Sequence, residues 1–191
     1  MYQKYQTEAL VLQSRPMGES DKMCTLYTRD FGLVCARVSG VRNERSKMRY
    51  ALQDYSRAMV GLVRGSRGWR LAGAVAIETA ARKDANSIRV FARISELVAK
   101  LVAGEEENPY LYEALSQTHD ALMQESCESS ATIEIVAVAR VLYALGYISA
   151  EALQTALFTH TAYAYDHLLE AESIRDDLLL SINRALSETH L

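Results

Sequence analysis

The sequence of 191 residues contains few cysteines, and those it has follow no known pattern. Cys24, Cys35 and Cys127 are scattered, and no C-x-x-C pair occurs. An odd number of isolated thiols argues against a disulfide framework and against a cysteine zinc site. We expect all three to be small, buried apolar side chains and no structural zinc to be present.

Long hydrophobic runs are also missing. No window approaches the roughly eighteen consecutive apolar residues that a membrane helix needs, and the amino terminus lacks the charged start and apolar run of a signal peptide. With 49% hydrophobic and 24% charged residues, the composition is ordinary for a soluble globular protein with one good core or two small domains. We therefore expect a cytoplasmic protein without a membrane partner.

The motifs of common enzyme sites are absent as well. Residues 65–69 have the glycines of a phosphate-binding loop but lack Lys-Ser/Thr at the required spacing, so ATP hydrolysis is not supported. No serine, histidine and aspartate stand in a strand-turn-helix context that would make a nucleophile. We predict that the chain is not an enzyme and needs no cofactor.

Two polar groups could suggest a metal. His160, His167 and Glu170 fall at helical spacing, but a fourth ligand is missing, so exposed helix histidines are the favoured interpretation. The carboxylates at 105–107 follow a glycine and precede Asn-Pro, which marks a loop between helices. A solvated acidic loop is favoured over a metal site there.

Charge is unevenly distributed along the chain, although the net charge is only -3. Residues 1–80 hold 13 Lys and Arg against 7 Asp and Glu, a net of +6, whereas residues 81–191 hold 8 against 17, a net of -9. Such asymmetry indicates one part that meets a polyanion and another that does not. Chance segregation on a solvated surface is the alternative.

Apolar-rich segments bounded by turn residues predict five strands in the first part of the chain. The predicted ranges are 8–14, 22–28, 33–39, 50–63 and 69–78, the fourth being long and bent. Five short strands with glycine connections favour a small closed barrel, which leaves no exposed edge. Composition alone does not separate an oligonucleotide-binding barrel from an SH3-like one.

Alternation along the strands predicts the direction of each side chain. The fifth strand should turn one parity to the core, namely Trp69, Leu71, Val75 and Ile77. With Leu26 inward, the outward side chains of the second and third strands are Met23, Thr25, Tyr27, Cys35 and Arg37. Tyr27 could then stack a base and Arg37 hold a phosphate, although packing is the commoner role of a strand tyrosine.

After residue 86 the apolar period becomes helical. The first helix should bury a stripe of Ile88, Phe91, Ile94, Val98 and Leu101. Further helices are predicted after Asn108-Pro109, over 131–145, after Ser149 and over 163–186, and the helix over 131–145, apolar nearly all round, should be the central one. We place a nucleic-acid-binding domain in residues 1–80 and a helical domain in residues 81–191.

Cations cluster directly after the third strand. Arg42, Arg45, Lys47 and Arg49 fall within eight residues, a density that suits phosphate contacts without base reading. The first and last strand-joining loops, which border the binding face of oligonucleotide-binding barrels, add Arg15, Lys22, Arg64, Arg67 and Arg70. We predict that these side chains bind nucleic acid; a solvated basic surface is the alternative.

Several short motifs follow one another through this region. They are Ser14-Arg15-Pro16, Gly18-Glu19-Ser20-Asp21-Lys22, Thr28-Arg29-Asp30-Phe31-Gly32, Val38-Ser39-Gly40-Val41-Arg42 and Ser46-Lys47-Met48-Arg49. In this order and spacing they resemble the amino-terminal domain of RecO, the bacterial recombination mediator. The resemblance implies an α+β protein, with an N-terminal five-stranded oligonucleotide-binding (OB) barrel followed by an all-helical C-terminal domain.

The resemblance also implies a function in DNA repair and recombination. Members of the family bind single- and double-stranded DNA, anneal complementary strands, and help load recombinase onto DNA coated by single-strand-binding protein, with RecR as a partner and a location near the nucleoid. Two other classes stay open: an RNA-binding barrel protein, and a protein-interaction module with a vestigial barrel. Matched DNA and RNA oligomers would separate the first of these.

Beyond the barrel, the similarity to the family is limited to helical character and the turn at 144–147. In many family members a four-cysteine zinc module follows that turn, whereas this chain has residues 149–161 there. The family further implies that the helical half binds the acidic tail of single-strand-binding protein, in a groove near Arg140 or Arg175.

Overall fold

The computed structural model describes residues 3–79, 84–123, 129–153 and 155–189. Cys127 and the predicted domain boundary at residue 80 lie outside these ranges, and the division into domains stays a prediction. By compactness the chain splits into one unit of Met1–Arg82 with Val102–Asn108 and another of Lys83–Leu101 with Pro109–Leu191. Residues 102–108 therefore belong with the first unit, although they follow the first helix.

The first unit contains a closed barrel of five strands in the order β1-β2-β3-β5-β4. The strands are β1 (Lys4–Met17), β2 (Asp21–Thr28), β3 (Gly32–Val38), β4 (Arg57–Gly65) and β5 (Gly68–Glu78). β1 pairs antiparallel with both β2 and β4, and a parallel pairing of β3 with β5 closes the barrel. This five-stranded closed architecture is that of an oligonucleotide-binding barrel.

Side chains of one parity fill the interior of the barrel. Cys24, Leu26, Val34 and Ala36 are fully buried members of its core, which confirms the inward parity predicted for β2 and β3. Because neighbouring residues on a strand point to opposite faces, the polar residues between them lie on the outside.

The fourth strand is shorter than predicted. β4 begins at Arg57, and the preceding residues 39–56, here called the β3–β4 connection, form a series of turns. Met48, Ala51 and Leu52 of this connection pack into the barrel core at i, i+3 and i+4, a helical rather than an alternating spacing. The strand predicted over residues 50–56 is therefore wrong.

The second half of β5, after residue 72, also differs from the prediction. Trp69 and Leu71 are buried as expected, but Val75 and Ile77 are 70% and 45% exposed. Gly61 pairs with Gly73 while Leu62 pairs with Leu71, so Ala72 is an extra residue in β5. Such a bulge reverses the alternation, and Ala74 packs against the core instead of Val75.

The described part of the second unit is helical. Its helices are α1 (Ala85–Leu101), α2 (Pro109–Leu122), α3 (Ser130–Ala144), α4 (Ala150–Leu153), α5 (Tyr165–Ser173) and α6 (Arg175–Glu188). α3 packs against α1, α2, α5 and α6, as expected for the central helix. With the barrel, these helices confirm the predicted α+β class.

The first helix buries the predicted apolar stripe, whereas the last predicted helix is divided. On α1, Phe91, Ile94 and Val98 are fully buried, which confirms the centre of the predicted stripe. The single helix predicted over 163–186 is instead two, because Ile174 leaves helical geometry at φ -114° and ψ 21°. None of the described helices is long and apolar enough to cross a membrane.

Candidate nucleic-acid interface

Three arginines lie in one row across the outer face of the barrel, with Met23 between the first two. Arg15 on β1 pairs with Met23 on β2, Met23 pairs with Arg37 on β3, and Arg37 pairs with Arg70 on β5. The three arginines, here called the basic row, are all exposed. Since adjacent strands are about 4.8 Å apart, the row extends about 14 Å across four strands.

The central arginine of this row is held by an aspartate on the next strand. Nε and Nη2 of Arg37 donate hydrogen bonds to one carboxylate oxygen of Asp21, at 3.0 and 2.6 Å. The backbone N–H of Gly40 donates to the other oxygen at 2.9 Å. The Gly40 N–H, followed by Arg37, lowers the pKa of Asp21 below its ordinary value of 3.8. Asp21 thus ties the end of β3 to the start of β2.

The β3–β4 connection presents the basic cluster on the same end of the barrel as the β1–β2 turn. Arg42 donates from its backbone N–H to the Ser20 carbonyl at 2.9 Å and from Nη1 to the Gly18 carbonyl at 3.0 Å. The four cations Arg42, Arg45, Lys47 and Arg49 are all exposed. These two hydrogen bonds place the basic cluster next to the β1–β2 turn, at one end of the barrel, with its side chains facing solvent.

Lys22 is less available than the other predicted cations. Its side chain is half-buried, and Nζ donates to the Ser14 hydroxyl at 3.1 Å. That hydroxyl donates in turn to the Asp54 carboxylate at 2.5 Å. A carboxylate close behind the ammonium group offsets part of its charge.

The β4–β5 turn carries the remaining predicted cations. Arg67 lies exposed in the turn. Arg64 is also exposed, but Nη1 contacts the Glu105 carboxylate at 3.0 Å, and its guanidinium lies 5.1 Å from the centre of the Trp69 ring. Glu105 belongs to residues 102–108 of the first unit. Arg64, one of the candidate phosphate-binding side chains, is therefore already paired with a carboxylate of this acidic loop.

Tyr27 does not have the exposure that base stacking requires. It is absent from the barrel's interior core, in agreement with its predicted outward parity, yet it is fully buried. Burial raises the pKa of its hydroxyl well above the ordinary value of 10.0. A ring with no exposed face cannot stack on a base, so the predicted role of Tyr27 as a stacking residue does not fit this structure.

The two cysteines that the structure describes lie on opposite faces of the barrel wall. Cys24 is fully buried as expected, whereas Cys35 is exposed, so its predicted burial is wrong although its outward parity on β3 is right. Cys35 lines a surface depression of about 320 Å³ together with Thr25, Met23 and Arg15. This depression lies on the face that carries the basic row.

An exposed aromatic side chain near the basic cluster is not identified by the alternating sequence pattern. Tyr50 follows Arg49 directly and is 68% exposed. The strand predicted over residues 50–63 does not indicate the exposure of Tyr50, because alternation does not apply to a segment of turns. The helical spacing of Met48, Ala51 and Leu52 was the available signal, since it turns Arg49 and Tyr50 away from the core.

In the second unit, Arg140 is not available to a partner. It is fully buried, and its guanidinium donates hydrogen bonds to the carbonyls of Leu157, Thr161 and Ala162 at 3.1, 2.7 and 3.3 Å. The same group lies 4.7 Å from the centre of the Tyr163 ring. Arg140 therefore organises the segment that follows α4, and its own side chain is not exposed to an acidic tail.

The other candidate residues named in the second unit, Arg175, His160, His167 and Glu170, also have local contacts. Arg175 pairs with Glu172 at 2.9 Å on the surface. The rings of His160 and His167 stack at 5.6 Å. Glu170, considered with them as a ligand, instead accepts hydrogen bonds from the Thr155 hydroxyl and from the backbone N–H of Ala156.

The barrel matches a known family. Residues 1–75 match the family model described as "Recombination protein O N terminal". The chain is 37% identical over 117 residues to the DNA repair protein RecO of Myxococcus xanthus (strain DK1622), covering 59% of this chain and 48% of that protein.

Two further relatives show the same extent of similarity. The DNA repair protein RecO of Pelotomaculum thermopropionicum is 33% identical over 110 residues, covering 56% of this chain and 43% of that protein. That of Caldanaerobacter subterraneus subsp. tengcongensis is 28% identical over 129 residues, covering 65% of this chain and 51% of that protein. The chain therefore spans about half the length of the curated relatives it matches.

Proposed function

Because residues 1–75 match the amino-terminal model of the RecO family, we propose that this chain is a member of that family, binds single- and double-stranded DNA and acts as a mediator in DNA repair and recombination. The observation that supports this most is the basic row of Arg15, Arg37 and Arg70 on the outer face of the barrel, with the β3–β4 connection adding four exposed cations. Guanidinium and ammonium groups arranged in this way suit phosphate oxygens and carry no base-reading geometry.

The proposed mechanism is charge neutralisation. Two complementary strands repel each other as polyanions, and a basic face that contacts the phosphates of both lowers this repulsion while releasing condensed counterions. No bond is made or broken, so the proposal needs neither a catalytic residue nor a cofactor. The net charge of +6 on residues 1–80 is compatible with such a role.

The finer activities are proposed from the family. They are the annealing of complementary strands and the loading of recombinase onto DNA coated by single-strand-binding protein, with RecR and single-strand-binding protein as partners. Of the two arginines named for the acidic tail of single-strand-binding protein, only Arg175 is partly exposed, and it pairs with Glu172.

An annealing assay tests the proposal. Complementary labelled oligonucleotides are mixed with and without the protein, at several salt concentrations, on bare strands and on strands coated with single-strand-binding protein. We expect the protein to accelerate annealing, and we expect the acceleration to fall as salt rises. No acceleration on either substrate, or a tighter affinity for RNA than for the matched DNA, would contradict the proposal.

A further inference from the structure

We propose that Tyr50 is a stacking platform for an unpaired base and that it gives the barrel a preference for single strands over duplex. This inference rests on the proposed DNA binding and goes beyond it, because the cations alone contact phosphates that both forms of DNA share.

The exposure of Tyr50 distinguishes it from the other aromatic side chains of the first unit. Its ring is 68% exposed, whereas Tyr27 and Trp69 are buried and Tyr5 and Phe31 pack against the barrel core. Among the described residues of this unit, no other aromatic ring has a comparable free surface. Tyr50 is therefore the candidate that can offer a ring face to a base.

The fold explains why Tyr50 points to solvent. Met48, Ala51 and Leu52 on either side of it pack into the barrel core, and the backbone N–H of Leu52 donates to the Met48 carbonyl at 3.1 Å. In this single turn, Arg49 and Tyr50 occupy the opposite side. An apolar side chain stabilises the fold through burial, so an exposed tyrosine contributes little to the stability of the free protein.

The surroundings of Tyr50 favour a polyanionic partner. Arg45, Lys47 and Arg49 precede it within five positions, and Asp54 is the nearest carboxylate in sequence, where it accepts a hydrogen bond from the Ser14 hydroxyl. Single-strand-binding surfaces combine a cationic path for the backbone with aromatic rings that stack successive bases. Tyr50 and the cations of the β3–β4 connection provide both components on one short segment.

Stacking requires a base with an accessible face. In duplex DNA both faces of each interior base are already stacked on neighbouring pairs, so Tyr50 could gain no contact there without opening the helix. In a single strand the bases are free to rotate onto the ring. The contribution of Tyr50 should therefore appear with single strands and be absent with duplex.

The test compares wild type with Tyr50→Leu and Tyr50→Phe. Affinities are measured for a single strand, for a duplex of equal length, and for a single strand of abasic sugar-phosphate units. Because it loses one stacking contact with a base, we expect Tyr50→Leu to bind the single strand about tenfold more weakly. Tyr50→Phe should keep wild-type affinity, because it keeps the ring.

The duplex and the abasic strand are the controls. Wild type and Tyr50→Leu should have the same affinity for the duplex and the same affinity for the abasic strand. The slope of log affinity against log salt should also be unchanged, because the phosphate contacts are intact. An equal loss on single strand and duplex, an equal loss on the abasic strand, or no loss at all would overturn the inference while leaving DNA binding by the barrel in place. A loss seen only with a protein partner would also overturn it, in favour of a protein contact.

The result separates this inference from the proposed function. If wild type binds none of the three nucleic acids in a salt-dependent manner, the proposed function fails, and the inference fails with it. If wild type binds all three and Tyr50→Leu differs only on the base-bearing single strand, both stand. Thermal unfolding of the two variants should match wild type, since the side chain is largely exposed.

Discussion

The carboxylate of Asp21 accepts two hydrogen bonds from the guanidinium of Arg37, at 3.0 and 2.6 Å, in the basic row. The same carboxylate accepts the backbone N–H of Gly40 at 2.9 Å. One side chain thus orients a candidate phosphate ligand and anchors the start of the β3–β4 connection. The ion pair fixes the position of Arg37, but it also offsets part of the positive charge, as Glu105 does for Arg64.

Asp21→Asn should lower the melting temperature at neutral pH and have little effect in strong acid. Folding lowers the pKa of Asp21 from its ordinary value of 3.8, so the carboxylate contributes stability above that value, and this stability is lost as pH falls through the folded pKa. Thermal unfolding of wild type and variant at neutral pH and at about pH 2.5 measures the difference. Glu19→Gln, an exposed acid in the neighbouring turn, is the control. An Asp21→Asn effect that stays constant with pH would contradict the prediction.

Replacing Arg42, Arg45, Lys47 and Arg49 with alanine should flatten the salt dependence of DNA binding. Loss of about four phosphate contacts should reduce the slope of log affinity against log salt by about 3 for single strands and about 3.6 for duplex. Thermal stability should change little, because all four side chains are exposed.

The control for this quadruple variant lies in the second unit. Arg89 and Arg184 are exposed there, whereas Arg93 is held by both carboxylate oxygens of Glu134 at 2.6 Å and is less suitable. Arg89→Ala with Arg184→Ala should leave the salt slope unchanged. A full slope in the quadruple variant, or an equal loss in the control, would move the binding face away from the β3–β4 connection.

Glu105→Gln should strengthen DNA binding at low salt. Arg64 must leave Glu105, now 3.0 Å away, before it can contact a phosphate. Exposed pairs of this kind are worth about 0–1 kcal/mol, so the gain should reach at most about fivefold and should fade as salt rises. Glu107→Gln, an exposed acid in the same loop, is the matched control in a fluorescence-anisotropy titration. A gain of the same size in the control would indicate a general charge effect rather than the release of Arg64.

Gly32→Ala should destabilise the protein more than Gly18→Ala. Both glycines have positive φ, at 58° and 67°, which costs other residues about 1–2 kcal/mol. A Cβ at Gly32 would lie 2.0 Å from the carbonyl oxygen of Glu106, whereas one at Gly18 would meet nothing within 4 Å. Denaturant unfolding should show a cost of about 1–2 kcal/mol for Gly18→Ala and a clearly larger one for Gly32→Ala. Equal costs would mean that residues 102–108 do not rest on the barrel in solution.

Much of the barrel follows from local sequence alone. The inward parity of Leu26 and Val34 is set by alternation, because successive side chains on a strand must point to opposite faces. The basic cluster beginning at Arg42 is equally local, since charged side chains in a polar segment between two strands stay in contact with water. The resemblance to RecO rests on the order of the loop motifs, which needs no knowledge of packing.

Other features depend on partners that are distant in the sequence. The basic row exists only because register brings Arg15, Arg37 and Arg70 together from three strands. The reversed parity of Val75 comes from a bulge that is defined by the pairing with β4, and a single strand's sequence does not specify its partner's register.

The exchange of Tyr27 for Tyr50 as the exposed aromatic has the same origin. Alternation assigns a side chain to a face of its own strand, but whether that face meets solvent depends on what the rest of the chain packs against it. Tyr27 points away from the barrel interior and is nevertheless buried, whereas Tyr50 lies beside core residues and is exposed. Local sequence determined the strands, the turns and the positions of the cations; tertiary packing decided which aromatic ring and which cations can reach a ligand, because exposure is a property of the whole fold.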